Sequence, residues 1–340
     1  MAKRTRVVLV GCGGICDKWM TAAVRERIEL VGLVDLSPAA AEQRRVDFNA
    51  PGALFGTDLK AMLKATDPEV VFDCTVPEAH HSVTMTALKH GCHVLGEKPL
   101  ADTMTHARAM VAAAGKADRI YAVIQNRRYR SEIRALRKFI ESGKIGRVTT
   151  VQSNFFVAAH FGGFRDVMAH ALLLEMSIHS FDQARLITGA DAQHVYCHEW
   201  NPAGSRYKHG ASAVAIFEMT DDIVYTYQGA WSSEGCNTSW ECAWHIIGDK
   251  GSVTWDGDES FKAQAVRSDE GFHRPLRELT VPVRVPQKKT GSHSGVILEF
   301  LDCVRHGGRP ETHAVENIKS LAMVFGAIKS ATAGKRVRVD

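Results

Sequence analysis

Arg6-Val7-Val8-Leu9-Val10-Gly11-Cys12-Gly13-Gly14-Ile15-Cys16 is the stretch that decides the fold. A short apolar run reads as a buried strand, the glycines as a tight turn, and Asp17 to Arg27 as a helix. That order puts backbone N–H groups at a helix N-terminus, where a pyrophosphate is stabilised by unsatisfied donors and the helix dipole. Gly11 permits the turn and Gly13 the close approach of a phosphate, with Gly14 and Ile15 completing the loop. Cys16 stands at the third glycine position of the dinucleotide fingerprint, where a small residue lets helix and strand pack closely.

The next strand, Glu29 to Val34, ends in Asp35. This is the window, roughly 20 residues past the first glycine, where a carboxylate accepts hydrogen bonds from a ribose and repels a 2'-phosphate. NAD is therefore expected, with NADP less favoured, although Arg44 and Arg45 could soften the preference; a plain strand-end turn is the other reading of Asp35. Ser37-Pro38 supplies a cap and a first-turn proline for the helix Ala39 to Phe48. The alternation continues with a helix at Thr57–Ala65, a strand at Val70–Cys74, and a helix at Glu78–Lys89 stopped by His90-Gly91. A strand at Cys92–Leu95, a helix at Ala101–Lys116 capped by Asp102 or Thr103, and a strand at Ile120–Ile124 complete it. Strands separated by helices give a doubly wound parallel sheet with right-handed crossovers, a domain of residues 1–125. Ligands sit beyond the carboxyl ends of such strands, so Thr75, Pro77, Glu97 and Lys98 border the cofactor site. Pro99 lacks a backbone donor and restrains Lys98 to extended geometry, which fixes the lysine at a strand tip with its ammonium able to reach.

From residue 126 onward the pattern changes. An amphipathic helix, Ser131–Ser142, leads into apolar or alternating strands at Val148–Val157, Gln193–Glu199, Ala211–Met219, Ile223–Trp231 and Glu241–Ile247. Short connections between them predict antiparallel pairs in an α+β domain spanning 126–340, with one sheet face left for an oligomer contact. Gly257–Gly291 reads as loops or edge strands; Ser294–Gly307 and Val315–Ala333 read as helices that return to the first domain. Within one helix, Leu172–Ile187, Glu175 and His179 are four residues apart and Asp182 is three further on, so they lie near one face. A carboxylate one turn from an imidazole can fix its tautomer; a surface ion pair is the plainer reading. His170, Glu175 and His179 lack the Cys or His spacing of a metal site, so no metal is expected. Gly291-Ser292-His293-Ser294-Gly295 has histidine, not serine, at the centre of a nucleophile elbow, which excludes a hydrolase of that type.

A chain of 340 residues suits two domains at roughly 150 residues each. The excess of 42 Lys and Arg over 38 Asp and Glu is small and scattered, which points away from nucleic acid. The basic start leads straight into a strand without a leader pattern, and no apolar run approaches the roughly 18 residues of a membrane helix, so a cytoplasmic protein is expected. Eight cysteines without a CxxC pair read as reduced core thiols.

These signals together resemble the Gfo/Idh/MocA oxidoreductases, the family of glucose-fructose oxidoreductase and inositol 2-dehydrogenase. The resemblance runs through the glycine turn, Thr75-Val76-Pro77 with His80, Ala87-Leu88-Lys89-His90-Gly91 leading to Gly96-Glu97-Lys98-Pro99, Asn126-Arg127-Arg128-Tyr129, and Glu175 to Gly189. It implies a Rossmann domain, an open antiparallel sheet, a nicotinamide cofactor, a sugar-like or polyol substrate, and a homodimer or homotetramer. His80 and Asn126 join the cofactor-binding set through it. Lys98 and His179 become catalytic candidates with Glu175 orienting the imidazole, and either Lys98 or His179 can be written as the base. His160, Arg165 and His170, near Glu175 in sequence, are substrate candidates, Arg165 for a carboxylate. The family usually has aspartate at Glu175 and a glycine pair at His170-Ala171. The implied activity is hydride transfer between a secondary alcohol carbon and nicotinamide. The alternatives are a cofactor-bound sensor without turnover and a redox-neutral enzyme that retains NAD.

Overall fold

The computed structural model describes residues 4–282 and 290–340. The described chain divides into two compact units, residues 4–129 with 290–318, and residues 130–282 with 319–340.

The first unit begins with β1 (Thr5–Val10), α1 (Cys16–Trp19), α2 (Ala22–Arg27), β2 (Ile28–Val34), α3 (Pro38–Asp47) and β3 (Leu54–Gly56). It continues with α4 (Leu59–Thr66), β4 (Val70–Asp73), α5 (Pro77–Lys89), β5 (His93–Gly96), α6 (Met104–Ala117) and β6 (Tyr121–Val123). The strands form a parallel sheet in the order β3-β2-β1-β4-β5-β6. The chain winds outward from β1 and then restarts beside it at β4, so the order reverses between these two strands, and a crevice opens at their carboxyl ends. Ser37, Asp58 and Thr103 cap their helices with side-chain oxygens. Thr103 starts α6 at Met104 instead of Ala101, because Leu100 and Ala101 are buried ahead of the cap.

The helix expected over Asp17–Arg27 is two helices. Met20 leaves helical geometry at ψ 43° and Thr21 is extended at ψ 159°, so the chain re-enters a helix at Ala22. Periodicity could not show this break; a fully buried Trp19 and a Thr21 hydroxyl bonded to Ser294 at 2.9 Å set it. The short β3 strand also carries no alternating pattern, since Leu54 and Phe55 are exposed.

The second unit opens with α7 (Ser131–Glu141), β7 (Val148–Phe156) and α8 (Phe164–Val167), then α9 (Ile178–Thr188) preceded by a π-helical turn at Leu172–Ser177. The strands β8 (Ala192–Trp200), β9 (Ser212–Met219), β10 (Val224–Ala230), β11 (Ala243–Gly248), β12 (Gly251–Trp255), β13 (Phe261–Val266) and β14 (Leu276–Leu279) follow. The helix α10 (Ser292–His306) belongs to the first unit, and α11 (Ala314–Ala333) leads to β15 (Val337–Arg338). The second sheet runs β14-β13-β12-β11-β7-β10-β9-β8-β15, antiparallel throughout except for the parallel pair β7–β10. Its outward positions include exposed Tyr196, Trp200, Ile216, Val224 and Ile247.

The sixteen residues from Leu172 do not form one regular α-helix, because the π turn adds a residue to the first circuit; such bulges re-aim side chains and recur at functional sites. α9 is buried nearly all round, and several of its polar groups are answered inside. Asp182 accepts from Ser320 at 2.6 Å and Gln183 donates to Glu241 at 2.8 Å. Six cysteines are buried free thiols, but Cys236 is exposed and Cys303 partly so, which corrects a reading of all eight as core. No helix among the described residues is long and apolar enough to cross a membrane.

Candidate functional site

At the reversal point of the first sheet, Gly11 sits at φ +86°, where an L side chain is strained. A Cβ there would lie 2.7 Å from the carbonyl of Cys74 and 2.8 Å from the Thr75 nitrogen, so the tips of β1 and β4 meet at this glycine. Gly13 and Gly14 are the opposite case, because a Cβ on either would have no atom within 4 Å. The N–H groups of Gly13, Gly14 and Ile15 make no hydrogen bond among the described residues. An open space lined by unspent backbone donors fits the diphosphate of a dinucleotide.

The turn is braced from behind. Asp35 accepts from the Cys12 amide at 2.8 Å through one oxygen and from the Ser37 amide at 2.9 Å through the other. Arg44 donates to the carbonyls of Cys12 at 3.2 Å and Gly13 at 3.3 Å, and pairs with Asp17 at 2.7 Å. Arg45 donates to the Pro51 carbonyl and lies over the Phe55 ring. Cys16 fills the third glycine position without disturbing the fit: it is fully buried and its thiol donates to the Gly13 carbonyl at 2.7 Å. Burial pushes the Cys16 thiol up to about 11 and that of Cys12 up to about 12, so both stay protonated and are poor nucleophiles.

The β5 tip is tied to the same turn. Trp19, on the helix that follows the glycines, donates its indole N–H to Glu97 at 2.8 Å, and the other Glu97 oxygen accepts from the Lys98 amide at 3.1 Å. Burial raises the Glu97 carboxyl above its ordinary range against both donors. The Lys98–Pro99 peptide is cis. At the β4 tip, His80 is 1% exposed, and its Nδ1 lies 3.0 Å from Asp73 and 3.3 Å from the Thr75 hydroxyl. Burial lowers the His80 pKa, but the Asp73 charge and hydrogen bond outweigh it, so the net shift is upward. His80 Nε2 is buried without a partner among the described residues, a donor that a ligand or water oxygen would satisfy. Pro77 begins α5 beside this group, and Asn126 donates to Ser292 at 3.0 Å. Gly11, Gly13, Gly14, Ile15, Asp35, Thr75, Pro77, His80, Glu97, Lys98 and Asn126 all belong to the first unit.

The remaining candidates belong to the second unit. Arg165 donates twice to one oxygen of Glu175, at 2.9 and 3.2 Å, and its guanidinium lies 5.2 Å from the Phe161 ring centroid. Its charge is thus met by a carboxylate of this chain. Phe161, 57% exposed, also contacts Trp231 at 6.1 Å and Trp240 at 6.2 Å, while Tyr207 stacks on Trp231 at 5.5 Å. The Trp231 indole nitrogen is buried without a partner among the described residues. His160 and His170 are held by other carboxylates, Glu234 at 2.8 Å and Glu199 at 2.5 Å, and the hydrogen bond that the His170 ring donates to Glu199 raises the His170 pKa. His179 is buried on α9. Among the described residues, no group of three or more His, Cys, Asp or Glu is placed to hold a metal ion.

Sequence reasoning did not single out Trp19, Asp73, Glu199 or the aromatic group at Phe161, Tyr207, Trp231 and Trp240. Each acts through a partner brought near by folding; only Asp73, at a strand end next to Thr75, had a local signal.

Residues 5–125 match the oxidoreductase family with an NAD-binding Rossmann fold, and residues 133–254 match the GFO/IDH/MocA C-terminal domain. The chain is 26% identical to D-apiose dehydrogenase of Paraburkholderia graminis over 99% of this chain and 90% of that protein. It is 23% identical to 1,5-anhydro-D-fructose reductase of Ensifer adhaerens over 98% of each. An oxidoreductase from Agrobacterium radiobacter, solved in complex with NAD+, L-tartaric acid and magnesium, matches with a TM-score of 0.84 over 99% of both chains at 19% identity, a likeness of fold.

Proposed function

Because the chain belongs to the GFO/IDH/MocA oxidoreductases, we propose that it moves hydride between a secondary alcohol carbon of a sugar, polyol or derivative and C4 of NAD. The observation that carries this reading is the link from Trp19 through Glu97 to the Lys98 backbone, which ties a strand-tip lysine to the turn that would hold the diphosphate. Nicotinamide, when bound, supplies the hydride acceptor. Lys98 then positions the substrate oxygen and stabilises charge developing on it, and His179 takes the hydroxyl proton, because imidazole works near neutral pH. Glu175 holds the imidazole side of the site and keeps Arg165 in place.

The matched Arg165–Glu175 pair and the exposed Phe161 ring support a neutral polyhydroxy substrate over a sugar acid: the pair offers donors and acceptors to hydroxyls, and the ring takes an apolar C–H face. His160 and His170 line the substrate side of this reading. Asp35, with both oxygens fixed by backbone amides, supports NAD over NADP; Arg44 and Arg45 are engaged elsewhere. The exposed apolar residues on the second sheet support a homodimer or homotetramer, which light scattering would resolve. The test of function is a panel of sugars, inositols and sugar acids assayed for NADH formation. Activity with polyhydroxy alcohols supports the reading, and a protein that binds NAD but turns over none of them would favour a sensor.

A further inference from the structure

A cavity of about 300 Å³ opens in the first unit at the amino ends of β1 and β2, the end of the sheet opposite the glycine turn. Its floor is apolar. Met20, in the break between α1 and α2, and Ile28, the first residue of β2, are buried, while Leu30, Phe48 and Ala50 are half-buried against the same core.

The rim is charged. Arg4 precedes β1, Arg25 lies in the last turn of α2, Glu29 follows Ile28 on β2, and Asn49, just past α3, is held left-handed at φ +49°. The other arginines of this region are already committed. Arg6 donates to the Thr66 carbonyl, Arg27 pairs with Asp302, Arg44 with Asp17 and Asp47, and Arg45 donates to the Pro51 carbonyl. Arg4 and Arg25 differ: among the described residues their guanidinium groups and the side-chain amide of Asn49 meet no acceptor, and Glu29 pairs with neither arginine.

A guanidinium presents a planar fork of N–H donors that matches a carboxylate. Two guanidinium charges against the one carboxylate of Glu29 leave the rim with a surplus of a single positive charge. Small-molecule pockets combine a mostly apolar lining with a few convergent polar groups, at volumes from roughly 300 Å³ upward. An inorganic anion would satisfy the rim and leave the floor wet, and an uncharged apolar molecule would do the reverse.

We propose that this cavity is a second small-molecule site and that it takes a monocarboxylate with a compact apolar body. The carboxylate meets Arg4 and Arg25 at the rim, Asn49 supplies a further donor, and the body lies on Met20, Ile28, Leu30 and Phe48. The site is independent of the dehydrogenase reaction, because none of its residues belongs to the cofactor or substrate set.

Benzoate is the probe, with benzyl alcohol carrying the ring without the charge and sulfate the charge without the ring. In spectra of the full-length protein labelled at its methionine methyl groups, with Met20 assigned through Met20→Leu, benzoate should shift the Met20 signal saturably with a Kd on the order of 1 mM, the modest affinity of a small open site. Benzyl alcohol and sulfate should each bind roughly tenfold more weakly or worse, since each lacks one half of the interaction. Arg4→Gln combined with Arg25→Gln changes two exposed side chains, so the variant should fold as wild type does, and it should weaken benzoate by roughly tenfold or more. A Met20 signal that benzoate does not shift saturably would overturn the proposal. Sulfate or benzyl alcohol as effective as benzoate would do the same, as would a double variant that binds benzoate like wild type.

Discussion

Gly11 and Gly13 stand two residues apart in one turn and should respond to alanine in opposite ways. At Gly11 the backbone is left-handed at φ +86°, and the added Cβ would press within 2.8 Å of the Cys74 and Thr75 backbone, which cannot yield as a side chain would. The left-handed strain costs about 1–2 kcal/mol and the forced displacement about 1–3, so Gly11→Ala should lose about 2–5 kcal/mol, a large share of a typical folding free energy of 5–15. At Gly13 the Cβ meets nothing within 4 Å, so Gly13→Ala should unfold within about 0.5 kcal/mol of wild type. If that space holds a phosphate, the methyl group displaces a charge-assisted hydrogen bond worth about 1.5–3 kcal/mol, and the dinucleotide Kd should rise roughly 10- to 100-fold. Urea unfolding followed by tryptophan fluorescence gives the first quantity, and calorimetric titration with NAD the second. A Gly11→Ala protein as stable as wild type, or a Gly13→Ala protein with unchanged NAD affinity, would refute this account of the turn.

Trp19→Phe keeps the ring packing against Phe72 but removes the donor to buried Glu97, and should cost about 1–3 kcal/mol in urea unfolding; an unchanged midpoint contradicts it. Asp35→Asn removes the charge that the proposed reading sets against a ribose 2'-phosphate and should shift the ratio of kcat/KM values toward NADP by on the order of tenfold, so an unmoved ratio counts against NAD recognition by Asp35. The raised pKa of His80 means that its stabilisation is fully present below the unfolded value near 6.5 and fades as pH rises through the higher native value. The difference in unfolding free energy between wild type and His80→Gln should therefore shrink as pH rises above about 6.5, and a constant difference would show that the Asp73 pair is not the cause.

Local chemistry was the legible part. Ser37 and Thr103 cap helices because capping needs only a side chain and an amide three residues on, and the alternation of strands with helices dictates the parallel sheet. The tight turn at Gly11 followed from the glycine pattern, whereas Cys16 read as a departure that weakened that pattern, and its full burial is what the structure adds. What escaped was set by distant partners. Trp19 reaches Glu97 across 78 positions, and the break at Met20–Thr21 follows from that burial instead of from any helix-stop residue. The π turn at Leu172–Ser177 has no proline or glycine to announce it, so a regular helix was the natural expectation. Arg165, expected to meet a substrate carboxylate, proved to be matched by Glu175, ten positions away in sequence.

The measurement that tests the central claim most directly compares wild type with Lys98→Met for NAD affinity and for NADH formation with the best polyhydroxy alcohol in the panel. The account predicts NADH formation by the wild type, a Kd for NAD within a few-fold in the variant, and turnover lower by a factor on the order of 10² or more. Equal turnover in both proteins, or a wild type that binds no NAD, would contradict it.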